Sequence, residues 1–332
     1  MAMNKLVKRI GTMIGAAMTI ITLALPQVQA QSYPARPVSM VVPFPAGSAT
    51  DSIARLIGAK LAENIGQPVI IENVPGAGGT IAAARVARAK PDGYTILIHT
   101  TIALSAALYN NLSYDTATAF EPIGLVNIGP YVLTANPAYP AKDAKELFAN
   151  LKANGKGVAF SNAGAGTGSH LCAIMLAQAL GAESNLIPYK STSLALQDVI
   201  AGHVDLLCDQ TTNAFPHLAS KKIKAYAITS PQRNAAFPDI PTTRELGIPQ
   251  VDVSVWHGLY APRGTSGAIV NQLNGALQFA LADPAVQKRL LDMGTGIFPA
   301  NQRSPAAHAK WLADELKSVR VVIEKANVQI EQ

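Results

Sequence analysis

Two glycine-rich loops are the segments of this chain whose residue types and spacing could do chemistry. The loop PFPAGSATD occupies residues 43–51 and the loop NAGAGTGSH residues 162–170, and each directly precedes a stretch with helical apolar spacing. In the first loop Gly47 allows the backbone to turn its N–H groups outward, and Ser48 or Thr50 can cap the following helix. Because the positive end of a helix attracts negative charge, this arrangement predicts an anion-binding loop.

The second loop offers the same arrangement. Gly164, Gly166 and Gly168 give a ligand access to the backbone, while Thr167 and Ser169 supply hydroxyl groups. Neither loop contains Lys or Arg. A polyphosphate usually recruits a cationic side chain, so neutral donors at two helix starts favour a carboxylate or another weakly charged ligand.

Each of these features also has a purely structural interpretation. A single glycine-rich turn before a helix is usually only a turn, but two matched loops about 115 residues apart favour a ligand site. Asp51 at a helix start is typical of a cap and can pair with Arg55 at i,i+4, so it is interpreted as an organiser of the loop. The scattered histidines lie near no nucleophile motif and are interpreted as structural: His99, His170, His203, His217, His257 and His308.

The second loop partly imitates a dinucleotide fingerprint. The pattern Gly164-x-Gly166-x-x-Ser169 is followed by an acid, Glu183, about 19 residues after the first glycine, but serine stands where glycine or alanine is expected. The chain contains no G-x-S-x-G, S-x-x-K or H-E-x-x-H motif, and no His/Cys/Asp/Glu spacing typical of a zinc or EF-hand site. We therefore expect neither a cofactor nor a metal, and a binding protein rather than an enzyme, with a triad of distant residues as the remaining alternative.

The elements that must position these loops alternate between strands and helices. The predicted strands are 38–42, 69–72, 94–98, 157–161, 185–188 and 204–208. The predicted helices are 51–65, 81–89, 171–180, 193–201, 266–281, 284–293 and 305–325. This alternation predicts an α/β fold of two similar lobes, each with a sheet of parallel strands.

The first 30 residues have the pattern of a secretory signal peptide. A basic start is followed by an uncharged apolar run over 10–25 and by the small-x-small site Val28-Gln29-Ala30. We expect cleavage near Gln31 and a periplasmic product, freely diffusing because no lipid-accepting cysteine follows Ala30. The alternative is an uncleaved membrane anchor, for which the apolar run is short.

Without that segment the formal charge falls from +6 to +3, since it carries three basic residues and no acids. No Lys/Arg cluster with interleaved aromatics remains, which argues against nucleic acid as a partner. The two cysteines, Cys172 and Cys208, lie in apolar surroundings in a compartment that permits disulfides. Spacing alone does not decide their pairing, and two buried free thiols are the favoured interpretation.

Ordered motifs extend over most of the chain and resemble those of one family. The segments are PVSMVVPFPAGSATDSIARLIGAKLAENIGQPVIIENVPGAGGTIAAARVARAKPDGYTI, FEPIGLV, SNAGAGTGSHL, IPYKSTSLALQDVIAGHVDLL, IPTTRELGIP and WHGLYAPRGT. In order and spacing they resemble the substrate-binding proteins of tripartite tricarboxylate transporters, the Bug family. The resemblance covers residues 33 to about 294.

This resemblance implies a two-lobed periplasmic binding protein, type II-like, with a ligand cleft and a hinge of two chain crossings near 131–135 and 254–260. Lobe 1 would combine residues 32–132 with 255–332, and lobe 2 would be 133–254. The protein would close on a small organic acid and deliver it to the membrane subunits of the transporter, acting as a monomer. A sensor or a hydrolase acting on a small carboxylate is the alternative.

The resemblance also implies the site residues. Family members bind a ligand carboxylate through the two loops identified above, often with bridging waters, and other positions border the cleft. The implied ligand-binding residues are Phe44, Ala46, Gly47, Ser48, Ala49, Thr50, Asp51, Asn73, Thr100, Thr101, Asn162, Gly164, Gly166, Thr167, Gly168, Ser169, His170, Ser191 and Asp209.

One stretch departs from the family pattern. The family usually has glycines after its PYK element, whereas this chain reads Lys190-Ser191-Thr192-Ser193. The added hydroxyls could hydrogen-bond the distal group of the ligand or narrow its pocket, and Lys190 is interpreted as structural rather than as the partner of a second carboxylate. Dicarboxylates, aromatic acids such as terephthalate or nicotinate, and amino acids all stay open as ligands.

Overall fold

The computed structural model describes residues 33–100, 102–109 and 111–325. The expected signal peptide, residues 1–30, and the candidate site residue Thr101 lie outside this part of the chain. Within it, no helix is both long and apolar enough to cross a bilayer.

Ten strands and ten helices follow one another in the described residues. The strands are β1 (Val38–Val42), β2 (Val69–Asn73), β3 (Thr95–Thr100), β4 (Phe120–Ala135), β5 (Ala159–Asn162), β6 (Asn185–Pro188), β7 (Leu206–Gln210), β8 (Lys224–Ile228), β9 (Ser254–Pro262) and β10 (Gly296–Ile297). The helices are α1 (Ala49–Ile65), α2 (Thr80–Ala87), α3 (Ile102–Leu108), α4 (Ala144–Asn154), α5 (Gly168–Leu180), α6 (Thr192–Ala201), α7 (Thr211–Ala219), α8 (Gly267–Ala282), α9 (Pro284–Asp292) and α10 (Pro305–Lys325). Short 3₁₀ turns occupy Ala77–Gly79, Gly155–Gly157 and Ala300–Gln302.

Helix α1 shows how local sequence sets these bounds. Ser48 is its N-cap and its hydroxyl accepts from Asp51 N at 3.2 Å, so the helix begins two residues before the predicted start. Ile53, Ile57 and Leu61 recur at helical spacing and are buried. The helix ends at Gly66, which adopts the left-handed conformation that suits a C-cap glycine.

The sheet is mixed rather than parallel. Its strand order is β2-β1-β3-β9-β4-β7-β5-β6, and β8 and β10 also pair with β4. Both ends are parallel, as predicted for the strand–helix–strand units, but the central pairs β3–β9, β9–β4 and β4–β7 are antiparallel. The prediction of parallel sheets was therefore wrong for the centre. The strand–helix alternation that predicts parallel strands covers two segments, one with β1–β3 and one with β5–β7. Strands β4 and β9 lie outside both segments.

Strand β4 joins the two ends of the sheet. It is 16 residues long and pairs with β9 from Phe120 to Pro130, then with β7 and β8 from Tyr131 to Ala135. Its partners thus change at Tyr131, close to one of the expected chain crossings. We call the sheet region with β1–β3 the first half and the region with β5–β8 the second half.

A disulfide ties a helix to the sheet in the second half. Cys172 in α5 and Cys208 in β7 are bonded, with their Cα atoms 6.2 Å apart, and both are buried. The interpretation as two free thiols was wrong, although their burial was correct. Helix α5 packs on β7 in the same apolar cluster, and this packing brings together two residues that are 36 apart in sequence.

Candidate ligand-binding site

Four helix N-termini meet at one cavity. The N-cap residues are Ser48 of α1, Thr167 of α5, Ser191 of α6 and Gln210 of α7, and all four line the same cavity. The first N–H groups of a helix have no partner within the helix, and the helix dipole makes this end positive. The cavity is therefore suited to an anion although no cation is placed in its wall.

The wall is made of hydroxyl groups, one amide, and aromatic and small apolar groups. The other lining residues are Phe44, Ala49, Thr50, Thr100, Tyr131, Ala163, Gly168, Ser169 and Thr192. None of the described lining residues is Lys, Arg, Asp or Glu. An anion in this cavity would thus meet helix ends and hydroxyl donors rather than a cationic side chain.

The first loop is held in shape by Asp51, which is 2% exposed. Its carboxylate accepts from Gly47 N, Arg55 Nε and Asn73 Nδ2, each at 2.9 Å. Burial opposes ionisation of this carboxyl, but these bonds outweigh burial and lower its pKa. Asn73 also donates to Phe44 O at 2.9 Å. Asp51 and Asn73 therefore support the loop, and neither is among the residues that line the cavity.

The second loop is closed by its own side chains. Ser169 Oγ accepts from Ala163 N at 2.8 Å, and Asn162 Oδ1 accepts from Gly164 N at 2.8 Å. Thr167 Oγ1 donates to Gly164 O at 2.7 Å. A glycine is required at position 168, because a Cβ atom there would come within 2.2 Å of the Tyr131 hydroxyl.

The structure brings about half of the predicted contact residues to the cavity wall. These are Phe44, Ser48, Ala49, Thr50, Thr100, Thr167, Gly168, Ser169 and Ser191. The other described candidates lie in the loops or behind them without lining the cavity: Ala46, Gly47, Asp51, Asn73, Asn162, Gly164, Gly166, His170 and Asp209. Their backbone or side-chain bonds shape the wall instead.

Asp209 lies under the wall. It is fully buried and accepts from Asn213 Nδ2 at 2.6 Å and from Gln210 N at 2.8 Å. Burial raises the pKa of this carboxyl to about 7, against the hydrogen bonds that favour its ionised form. The neighbouring Gln210, and not Asp209, reaches the cavity.

Four lining residues were not among the predicted contacts: Tyr131, Ala163, Thr192 and Gln210. Gln210 lies two residues after the predicted strand 204–208, so its position near a strand end was the available signal. Gln210 Oε1 and Thr100 Oγ1 are buried and have no hydrogen-bonding partner among the described residues. Because buried polar atoms normally have partners, these two atoms favour a polar group in the cavity.

Direct hydrogen bonds connect the two halves around the cavity. Tyr109 OH donates to Ala165 O at 3.1 Å, and Ser193 Oγ lies 3.3 Å from Gly47 O. Ser105 Oγ is 3.3 Å from Gly166 O. The loops therefore touch elements of the opposite half, while Lys190 is exposed and does not line the cavity.

A mixed α/β sheet in two halves, with helix N-termini meeting at a cavity between them, has the fold of the periplasmic binding proteins. A sequence profile of the tripartite tricarboxylate transporter family receptor, TctC, matches residues 53–328. The chain belongs to this family.

Relatives at the sequence level cover nearly the whole chain. A UPF0065 protein from the ttuE–ttuC' intergenic region of the TAR-I locus of Agrobacterium vitis is 39% identical over 313 residues, which are 93% of this chain and 90% of the relative. Protein BugT of Bordetella pertussis is 33% identical over 333 residues, 99% of this chain and 100% of BugT. These matches agree with the resemblance to the Bug family.

Solved structures are similar over the same extent. The periplasmic binding protein BugD is 42% identical with a TM-score of 0.86, covering 90% of this chain and 100% of its own. MatC of Rhodopseudomonas palustris with bound malate is 38% identical with a TM-score of 0.85, covering 88% and 100%. A second R. palustris protein, with adipate, is 29% identical with a TM-score of 0.85, covering 90% and 99%.

Proposed function

We propose that this chain is a periplasmic receptor that captures a small organic carboxylate and delivers it to the membrane subunits of a tripartite transporter. The observation that carries this proposal is the meeting of four helix N-termini at a cavity lined by hydroxyl groups, with no charged side chain among its described lining residues. Backbone N–H groups at helix starts bind anions without a cation. No catalytic step is needed for this role.

The ligand we propose is a dicarboxylate or an aromatic acid. One carboxylate would lie between the loops, near the hydroxyls of Ser48, Thr50 and Ser169, directly or through bridging waters. Phe44 offers an apolar wall for the body of the ligand. The malate and adipate held by the two R. palustris relatives are acids of this class.

Binding would work by closure of two lobes, residues 32–132 with 255–332 and residues 133–254. Strands β4 and β9 would form the hinge, because β4 changes partners at Tyr131. A ligand that contacts both lobes favours the closed state by its higher affinity for that state. The hydrogen bonds that Tyr109 and Ser193 make between the halves would belong to such a closed arrangement.

The proposal also covers where the protein acts and in which oligomeric state. Residues 1–30 would direct export and be removed near Gln31, and the mature chain would act as a monomer in the periplasm.

A thermal-shift screen of the mature chain tests the proposed function. The panel contains malate, adipate, terephthalate, nicotinate and several amino acids, with the methyl esters of the first two as uncharged controls. A ligand at 100 times its Kd stabilises the native state by roughly 2.7 kcal/mol. We expect at least one acid to raise Tm, the methyl esters of malate and adipate to leave Tm unchanged, and NMR of the mixture to show the acid unchanged. Turnover of an acid without stabilisation would instead support the enzyme alternative.

A further inference from the structure

A buried histidine lies directly behind the cavity. His257 is in β9 and is fully buried, and its register partner in β3 is the cavity residue Thr100. His257 Nε2 is 3.1 Å from Oγ1 of Thr50, which lines the cavity. His257 Nδ1 is buried and has no hydrogen-bonding partner among the described residues. Among the described residues, Thr50 of the cavity wall is therefore the hydrogen-bonding partner of the imidazole.

The ring of His257 is neutral. Burial, together with the nearby His99, lowers the pKa of His257 to about 3. His99 is itself buried in the adjacent strand, where burial lowers its pKa to about 4. One ring nitrogen of His257 therefore carries a hydrogen atom and the other a lone pair.

The two tautomers have opposite effects on Thr50. If Nδ1 carries the hydrogen, a buried N–H donor has no partner, and Nε2 takes the hydroxyl hydrogen of Thr50. If Nε2 carries the hydrogen, it donates to Thr50 Oγ1 and only a lone pair is left without a partner. Orphaned buried N–H groups are rarer than under-satisfied acceptors, which favours the second arrangement.

We propose that His257 is a positioning residue for ligand recognition, whose Nε2–H donates to Thr50 Oγ1 and so directs the Thr50 hydroxyl hydrogen into the cavity. This inference rests on the proposed function, since the group it would serve is the carboxylate of the ligand. A carboxylate only accepts hydrogen bonds, so a committed donor at Thr50 favours it. An amide NH₂ or an ammonium group in the same place would face the hydroxyl hydrogen of Thr50 instead of a lone pair. The site would therefore bind a carboxylate more tightly than an amide or an amine.

The tautomer is measured directly by NMR. Long-range ¹H–¹⁵N correlation of the mature protein, labelled with ¹⁵N-histidine, distinguishes the Nε2–H and Nδ1–H forms, and the His257→Gln variant assigns the signal. We expect the Nε2–H pattern with and without added malate. An Nδ1–H or imidazolium pattern overturns the proposal. This NMR measurement needs no ligand, so its result does not depend on whether the acid screen succeeds.

Affinity variants test the consequence, with malate as the probe and calorimetry as the measurement. The amide nitrogen of Gln can occupy the place of Nε2, whereas Asn is too short to reach Thr50. We expect His257→Gln to keep Kd within about threefold, and His257→Asn and His257→Leu to weaken binding about tenfold or more, as for a lost hydrogen bond to a charged group. The exposed His203→Gln is the matched control and leaves Kd unchanged.

A purely structural role for His257 predicts a different pattern. The Gln and Asn variants would then change Kd equally, or follow their loss of Tm rather than the reach of the amide. Either result overturns the proposal. If the Leu variant does not fold, the comparison of Gln with Asn still decides, because both are polar amides of similar burial cost.

Discussion

Individual residues shape this cavity without touching it. Asp51 holds Gly47 and Asn73 at the back of the first loop, and Asp209 holds Asn213 under the second half of the wall. A sequence pattern identifies such residues together with the residues that line the cavity, because both kinds lie in the same short loops. Asp51 was interpreted as a loop organiser from its helix-start position, and its bonds show the physical basis of that role.

Gly47 provides a test of the first loop. Its φ is +79°, and its N–H donates to Asp51, so Gly47→Pro removes the bond and cannot adopt the backbone angle. We expect loss of acid binding in calorimetry. Gly47→Ala has a matched control in Gly66→Ala, since both glycines have positive φ and open space for a Cβ atom. Each costs roughly 1 kcal/mol of stability, and only the change at Gly47 should weaken binding. Equal Kd values for both would contradict this placement of the site.

Asp209 predicts a pH dependence of stability. Burial raises the pKa of Asp209 in the folded protein to about 7, whereas the pKa of an Asp in an unfolded chain is about 3.9. Between these values the folded state binds the extra proton, so its stability falls as pH rises and levels off above about 7. Urea unfolding should show Asp209→Asn gaining on the wild type across this range. Asp198→Asn, at a carboxylate whose pKa is lowered by Tyr189, should show no such gain above about pH 5.

At the scale of elements, the strand–helix units were predicted well and the centre of the sheet was not. Predicted and observed bounds of α1, α5 and β6 differ by at most three residues, because caps and apolar periodicity are local signals. The antiparallel strands β4 and β9 carry no such signal for direction. Their pairing joins residues 120–130 to residues 254–262, which are far apart in the sequence. Only the packing of the whole chain decides such a pairing.

The disulfide between Cys172 and Cys208 leads to a prediction about stability. By loop-closure entropy, a bond across 36 residues stabilises the fold by about 4 kcal/mol. The double variant Cys172→Ala, Cys208→Ala should lose a large part of this in chemical unfolding, and the wild type in reductant should lose a similar amount. Ligand affinity should change little, since neither cysteine lines the cavity. Two reactive thiols in the native, unreduced protein would contradict the pairing.

For the whole molecule, we expect the contacts between the halves to affect ligand affinity. The hydrogen bond from Tyr109 OH to Ala165 O does not involve the ligand, yet it would contribute to closure. A receptor of this design binds more tightly when its closed state is more stable.

Tyr109→Phe should therefore weaken ligand binding about three- to tenfold, the range expected for one neutral hydrogen bond. The matched control is Tyr139→Phe, which removes a bond to Asn150 within the second half and should leave Kd unchanged. Calorimetry gives the affinities, and small-angle scattering shows whether the ligand-free variant is more extended. Equal affinities of both variants would mean that this contact does not contribute to closure.

The sequence by itself determined the two glycine-rich loops, the caps of their helices, the strand–helix order and the family. These depend on residues close together in the chain or on ordered motifs. Only the tertiary structure decided the antiparallel centre of the sheet, the disulfide, the meeting of four helix ends and the contact between Thr50 and His257, which are 207 residues apart. Those features depend on which distant segments pack together, and the spacing of neighbouring residues carries no information about that packing.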